Sequence, residues 1–233
     1  MDEIRSNFDR DLANIQKDLL LMGHLVTEAL LDAIRAFDTK DEELAAKVIF
    51  GDAAIDELQI SIEDRTVELI ALQQPIAKDL RILSTALKMT TDLERIGDHA
   101  KKIAKIVHRI GQDPLLTPLA EIPKIAGLTV KMIQNVLKAY VNLDVQLAME
   151  VIATDDQVDD ICDACKHDIL CYMVKDTNNI PQGTALNKIV QRLERVGDHG
   201  ILLPMRSLKI IPYAFLQLFV LTQEKYWTRR PHY

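Results

Sequence analysis

Four pairs of carboxylates stand four residues apart: Asp52/Asp56, Glu94/Asp98, Asp155/Asp159 and Glu194/Asp198. On a helix such residues are neighbours, with Cβ atoms ~6 Å apart. Each pair sets two negative charges side by side and costs a bare helix about 0.2–0.5 kcal/mol. A bound cation reverses that sign. All-oxygen donor sets suit hard cations such as Mg²⁺, Mn²⁺ or Ca²⁺, and also iron. The competing reading is a set of solvated acidic faces, partly paired with Arg95, Arg195 or Lys88. One pair alone reads that way. Four pairs at repeat-related places leave both readings open.

The pairs are related because the chain is one unit written twice. Leu93 to His99, Leu-Glu-Arg-Ile-Gly-Asp-His, returns 100 positions later at Leu193 to His199 with one Ile-to-Val change. At an offset of 103, Val48 matches Val151, Asp52 matches Asp155, Ile55 matches Val158, Asp56 matches Asp159 and Ile62 matches Cys165. A three-residue deletion before the last helix reconciles the two offsets.

The elements that position these acids read as long helices. Phe8, Leu12, Ile15, Leu19, Met22, Val26, Ala29 and Ala33 are spaced alternately by four and three, which is one helix face. Asp38 to Asp41 offers a turn and an N-cap, and Glu43 adds favourable charge in the next first turn. The second helix, with Leu44, Val48, Ile55, Leu58, Ile62 and Leu69, should stop near Gln73 ahead of Pro75. A third should run from about Lys78 to Ile110 and end at Gly111. Gly111 to Pro118 reads as a linker. The fold class is therefore all-α, two tandem pseudo-symmetric three-helix bundles. The units are residues 1–112 and 119–203, followed by a divergent tail, 204–233. In the first bundle Asp56, next to Ile55, and Glu94 and Asp98, which follow Leu93 and Gly97, border the apolar stripe. Antiparallel second and third helices would gather four carboxylates into one patch. Gly97 and Gly197 recur inside helical runs at a cost of about 1 kcal/mol each relative to Ala. Close packing, or room for a ligand beside the acids, would account for them.

Other chemistry is poorly supported. The 233 residues carry a net charge of −7, with no general basic footprint for nucleic acid. Residues 201–233 hold five Lys/Arg against one Glu, net +4, which leaves −11 on residues 1–200. Cys162, Cys165 and Cys171 do not suggest a disulfide framework. Cys162-x-x-Cys165 with His167 lacks the second ligand pair of a structural zinc site, and Cys165 replaces the apolar Ile62. His99 and His199 follow their Glu by five residues, a rotation of about 140° on an ideal helix. That differs from the Glu-x-x-His of di-iron bundles, where the ligands share a face. There is no Gly-rich phosphate loop and no Gly-x-Ser-x-Gly elbow. No signal peptide is visible, and Ile210 to Leu221 is too short an apolar stretch to span a bilayer. A cytoplasmic protein is expected.

The doubled Glu-Arg-Ile/Val-Gly-Asp-His motif, on a doubled three-helix unit, resembles the PhoU family of phosphate-specific transport accessory proteins over roughly residues 1–200. The resemblance implies a regulator of phosphate uptake, not an enzyme, commonly a homodimer, that restrains the phosphate-starvation response. It implies partners: the ATPase subunit of the phosphate ABC transporter and a membrane sensor histidine kinase, so that the protein is peripheral to the membrane through them. It also implies metal ions (iron, Mn, Mg or Zn) held by Glu94, Asp98, Glu194 and Asp198. Asp52, Asp56, Asp155 and Asp159 would be partners on the adjacent helices. The alternatives are a helical metalloenzyme with a carboxylate-bridged di-metal centre and a plain scaffold whose acids are solubilising.

The chain departs from the pattern after Gly200. Pro204 and Pro212 follow Ile201-Leu-Leu, and Pro within a helix costs ~3 kcal/mol. The sixth helix is expected to break near Leu203, leaving the second site less secure. The tail reads as a frame-shifted or replaced segment, with an apolar and basic membrane-surface segment as the other option.

Overall fold

The computed structural model describes residues 2–110 and 121–207, with side-chain surroundings from 5 to 110 and from 121 to 203. These residues form six α-helices: α1 (Asp2–Thr39), α2 (Glu42–Gln73), α3 (Ala77–Ile110), α4 (Glu121–Asn142), α5 (Val145–Lys175) and α6 (Ile180–Ser207). One 3₁₀ turn, Thr177–Asn179, precedes α6. The linker and tail assigned from sequence lie outside the described residues from 111 to 120 and from 208 onward.

The duplication is visible in the turns. Asp41 caps α2 by accepting from the Leu44 amide at 2.9 Å, and Asp144 caps α5 by accepting from the Leu147 amide at 3.0 Å. Each cap follows a residue in the left-handed region, Lys40 and Leu143, both at φ 54°. These are the same positions at the 103-residue offset. The first helix of each unit is thus folded back by one kind of corner, and an Asp satisfies an orphan amide at the next helix start. At the other end of α2, Gln74 takes a left-handed conformation (φ 47°) and its N–H returns to the Ile70 carbonyl, one residue before Pro75.

Each unit is a three-helix bundle, α1 with α2 and α3, and α4 with α5 and α6. The bundles join through α3 against α6 and α1 against α4, so α2 and α5 are the outer helices. Along the α1–α4 contact Gly23 meets Leu137 and Gln16 bonds to the Tyr140 hydroxyl, so the two helices run in opposite senses. One continuous core crosses the joint, and Tyr140 donates to the Ile82 carbonyl at 3.2 Å from the second bundle to the first. His99 and His199 occupy the joint as a tilted ring pair with centroids 5.8 Å apart. Two sequence-equivalent residues that touch each other lie at the pseudo-two-fold axis relating their repeats.

One expectation is corrected. Helix α6 does not break near Leu203; its backbone runs through Pro204 to Ser207. Pro204 removes one backbone hydrogen bond, that to the Gly200 carbonyl. Ile201 and Leu203, both buried, anchor the preceding turn. Burial of two such side chains, about 1.5–3 kcal/mol each, offsets the ~3 kcal/mol cost of the proline.

Candidate metal centre

The acids sit where each outer helix meets its inner partner. On α2, Val48, Ile55, Ile62 and Leu69 bury against the bundle. Asp52 shares that face, and Asp56 lies at its margin. On α3, Leu93, Ile96 and Gly97 are buried, which leaves Glu94 and Asp98 half-buried at the boundary facing α2. A Cβ built on Gly97 would stand 3.1 Å from Ile55 Cδ1 and 3.8 Å from Asp52 Oδ1. The missing side chain therefore lets α2 and its carboxylate approach α3. The second bundle repeats the device: a Cβ on Gly197 would stand 3.4 Å from both Asp155 Oδ1 and Val158 Cγ1. Close packing and proximity to the acids turn out to be one property.

The four acids of the first bundle are electrostatic neighbours. Burial raises the pKa of Glu94, and the charges of Asp98, Asp56 and Asp52 raise it further. Burial and Asp52 do the same to Asp56. Asp98 goes the other way: burial pushes it up, but the hydrogen bond and charge of Lys102 with the charge of Lys101 hold it below its usual range. In the second bundle Asp159 is pushed up to about 6 by burial, then by Asp198, Glu194, Asp163 and Asp156. Asp56, Glu94 and Asp159 thus stand where burial and neighbouring anions disfavour their own charge.

Cations of the chain itself lie among them. The Lys101 ammonium donates to Asp52 Oδ2 in a short bond, and Asp52 is only 5% exposed. Lys102 donates to Asp98 at 2.8 Å. Lys166 of α5 meets Glu194 at 2.9 Å and Asp163 at 3.1 Å, and Arg195 stands 3.7 Å from Asp198. Of the basic partners expected from sequence, Arg195 is placed there and Arg95 acts on Glu94. Lys101, Lys102 and Lys166 were missed. The first two were legible, since Lys102 follows Asp98 by four residues and Lys101 follows Glu94 by seven, two turns along one face.

As the side chains stand, each patch is spread out. Among the described residues no three His, Cys, Asp or Glu side chains are placed to hold a single ion. Unneutralised carboxylates repel one another, and here they turn to lysines. In donor chemistry the patches fit a hard cation: all-carboxylate sets, a glycine where a side chain would intrude, and an ammonium standing where positive charge is wanted.

The histidines are placed elsewhere. His99 is buried at the bundle joint beside His199, away from the α2-facing acids, as its rotation from Glu94 requires. Its pKa is lowered to about 4 by burial and by Lys102, His199 and Arg192. His199 Nδ1 lies 3.6 Å from Asp92 Oδ1, an electrostatic contact too long for a hydrogen bond, and Nδ1 of both rings has no hydrogen-bond partner. Cys162 and Cys165 are buried free thiols, with pKa values raised by burial to about 12 and about 11. That is the behaviour of small hydrophobes rather than of metal ligands.

A doubled three-helix bundle with one acidic patch per repeat defines the class of protein. The PhoU domain model matches residues 19–107 and 122–201, once per bundle. The phosphate-specific transport system accessory protein PhoU homolog of Clostridium acetobutylicum is 36% identical over 195 residues, 83% of this chain and 89% of that protein. The PhoU accessory protein of Serratia marcescens is 34% identical over 200 residues, 84% and 80% of the two chains. The crystal structure of PhoU from Pseudomonas aeruginosa superposes with a TM-score of 0.84 at 30% identity, covering 88% of this chain and 99% of that one. That of the phosphate transport system regulatory protein PhoU from Streptococcus pneumoniae gives 0.81 at 30% identity, with 87% and 96% covered. The chain belongs to the PhoU family.

Proposed function

We propose that this chain is a non-enzymatic accessory regulator of a phosphate-specific transport system, and that its two acidic patches bind multivalent metal ions. The observation that carries the metal reading is the repeated placement of Asp52, Asp56, Glu94 and Asp98, and of Asp155, Asp159, Glu194 and Asp198, where an outer helix meets an inner one. Relatives named as phosphate-specific transport accessory proteins support the regulatory reading. A metal ion (iron, Mn, Mg or Zn) bound by these carboxylates would neutralise charge that the fold otherwise leaves in mutual repulsion. It would also tie α2 to α3 and α5 to α6. The helical surface so stiffened contacts the transporter ATPase subunit and the sensor histidine kinase, with a homodimer as the working unit. No helix among the described residues is long and apolar enough to cross a membrane, which suits a protein that reaches the membrane through partners.

The test has two arms. Elemental analysis of the purified chain, with melting curves before and after chelation, should find bound metal and a fall in Tm on its removal. Metal-free protein with an unmoved Tm at full helicity would discard the metal reading. Capture of the transporter ATPase subunit by the immobilised chain should succeed and weaken in Asp98→Asn; failure to capture it would count against the regulatory reading.

A further inference from the structure

Helix α2 is apolar on two faces. One buries Val48, Ile55, Ile62 and Leu69 against the bundle. The opposite one looks into solvent and carries Phe50, Ala53, Glu57, Ile60, Asp64, Val67 and Ala71, all exposed. Phe50 is 80% exposed, Ile60 59% and Val67 56%. The gaps alternate three and four, which is the seam of a coiled coil, and it runs about 31 Å. A helix with apolar residues on both sides is normally buried on both, and an exposed apolar strip rimmed by polar residues marks an interaction surface. The outer helix of the second bundle does not keep this strip. At the 103-residue offset Phe50, Ala53 and Ile60 become Ala153, Asp156 and Asp163.

The charges on the seam select what covers it. Glu57 and Asp64 flank Ile60, and neither meets a cation among the described residues. The two basic side chains of α2, Lys47 and Arg65, turn instead to Asp32 and Asp18 of α1. A second copy of this helix would set acid against acid in either sense. Antiparallel about Ile60, Glu57 meets Asp64; parallel, each meets itself. Like charges placed across a seam reject a partner, and opposite charges choose one. Alanines at 53 and 71 leave room for larger side chains beside Phe50 and Val67.

We propose that the solvent face of α2 docks an amphipathic helix of another protein, with apolar side chains over Phe50, Ile60 and Val67 and lysine or arginine side chains opposite Glu57 and Asp64. Bound metal is not needed for this contact. The face lies on one repeat alone, so the duplicated molecule presents a single such surface.

The seam has the same order of apolar and acidic positions from either end, so one probe serves both orientations. A fluorescein-labelled synthetic helix of three heptads, with Leu at the apolar seam positions, Lys at the two acid-facing ones and Ala or Gln elsewhere, should bind the full-length chain in an anisotropy titration. The same peptide with Glu in place of both Lys should not bind. Ile60→Ser, which leaves the charge unchanged, should weaken binding by about tenfold or more, the worth of covering one such side chain. Glu57→Gln combined with Asp64→Asn should weaken it and flatten its dependence on NaCl. Leu170→Ala, on the outward face of α5, should leave it unmoved. All four positions are exposed, so helicity and Tm should hold in these variants. No binding of the Lys peptide, equal binding of the Glu peptide, or binding indifferent to Ile60→Ser would overturn the proposal. Sedimentation velocity tests the other occupant: the assembly state should be the same in wild type and Ile60→Ser, and a dimer that Ile60→Ser dissociates would give the face to a second copy and overturn the proposal as well.

Discussion

Asp52 of one outer helix and Asp159 of the other should respond oppositely to the same chemical change. Asp52→Asn takes the acceptor charge from Lys101, whose side chain is 28% exposed and can turn to water. The expected loss is that of one hydrogen bond, about 0.5–1.5 kcal/mol in a urea unfolding experiment on the metal-free protein. Asp159→Asn removes a charge that four acids oppose, and at pH 7 it should be neutral or stabilising by about 0.2–0.5 kcal/mol. The pH dependence follows from its raised pKa. Between about 6 and 3.8 the folded chain holds a proton that the unfolded chain has lost. This group therefore adds stability as pH falls through that window, and the variant lacks that gain. These residue types and spacings were legible in the sequence, because an i,i+4 acidic pair is a statement about one helix. The counter-ions were harder to read. Lys101 reaches an acid 49 positions away, and only the packing of α2 on α3 makes that contact.

At the scale of the element, glycine sets the distance between the outer and inner helices. Gly97→Leu would drive a side chain into Ile55 and the Asp52 carboxylate, forcing α2 away from α3. The expected loss is about 1–3 kcal/mol, measurable by denaturant unfolding. Mn²⁺ binding should weaken in the same variant, because the carboxylates of the two helices would separate. Helix ends were readable wherever a local rule governs them, as with Asp41 at a start and Gln73 ahead of Pro75. The same kind of rule failed at Pro204. A proline's local cost was weighed there without the burial of Ile201 and Leu203 beside it, and burial is a tertiary quantity that one helix does not declare.

For the whole molecule, the joint between bundles should make the protein acid-sensitive. His99 has a folded-state pKa of about 4 against 6.5 in an open chain. As pH drops below 6.5 the unfolded chain takes up this proton first, so stability present above that value is lost progressively toward pH 4. Tm recorded from pH 7.5 to 4.5 should fall, and His99→Gln, neutral throughout, should show a shallower decline. The doubled architecture was legible from the heptamer and the paired offsets, since duplication is written in the residues themselves. How the copies face each other was not. An apolar helix stripe marks what is buried without saying against which neighbour, and the residues that meet across the joint, such as Gly23 with Leu137, are far apart in the chain.

The contact at that axis is not a handshake between equals. His199 Nδ1 stands 3.6 Å from Asp92, whereas His99 feels the positive charges of Lys102 and of Arg192, the counterpart of Asp92 in the second copy. A self-pairing of second repeats would deprive His199 of Asp92, and a self-pairing of first repeats would remove the charge of Arg192 from His99. The halves have become lock and key to one another, so swapping or doubling either one would assemble a mismatched joint from otherwise sound parts.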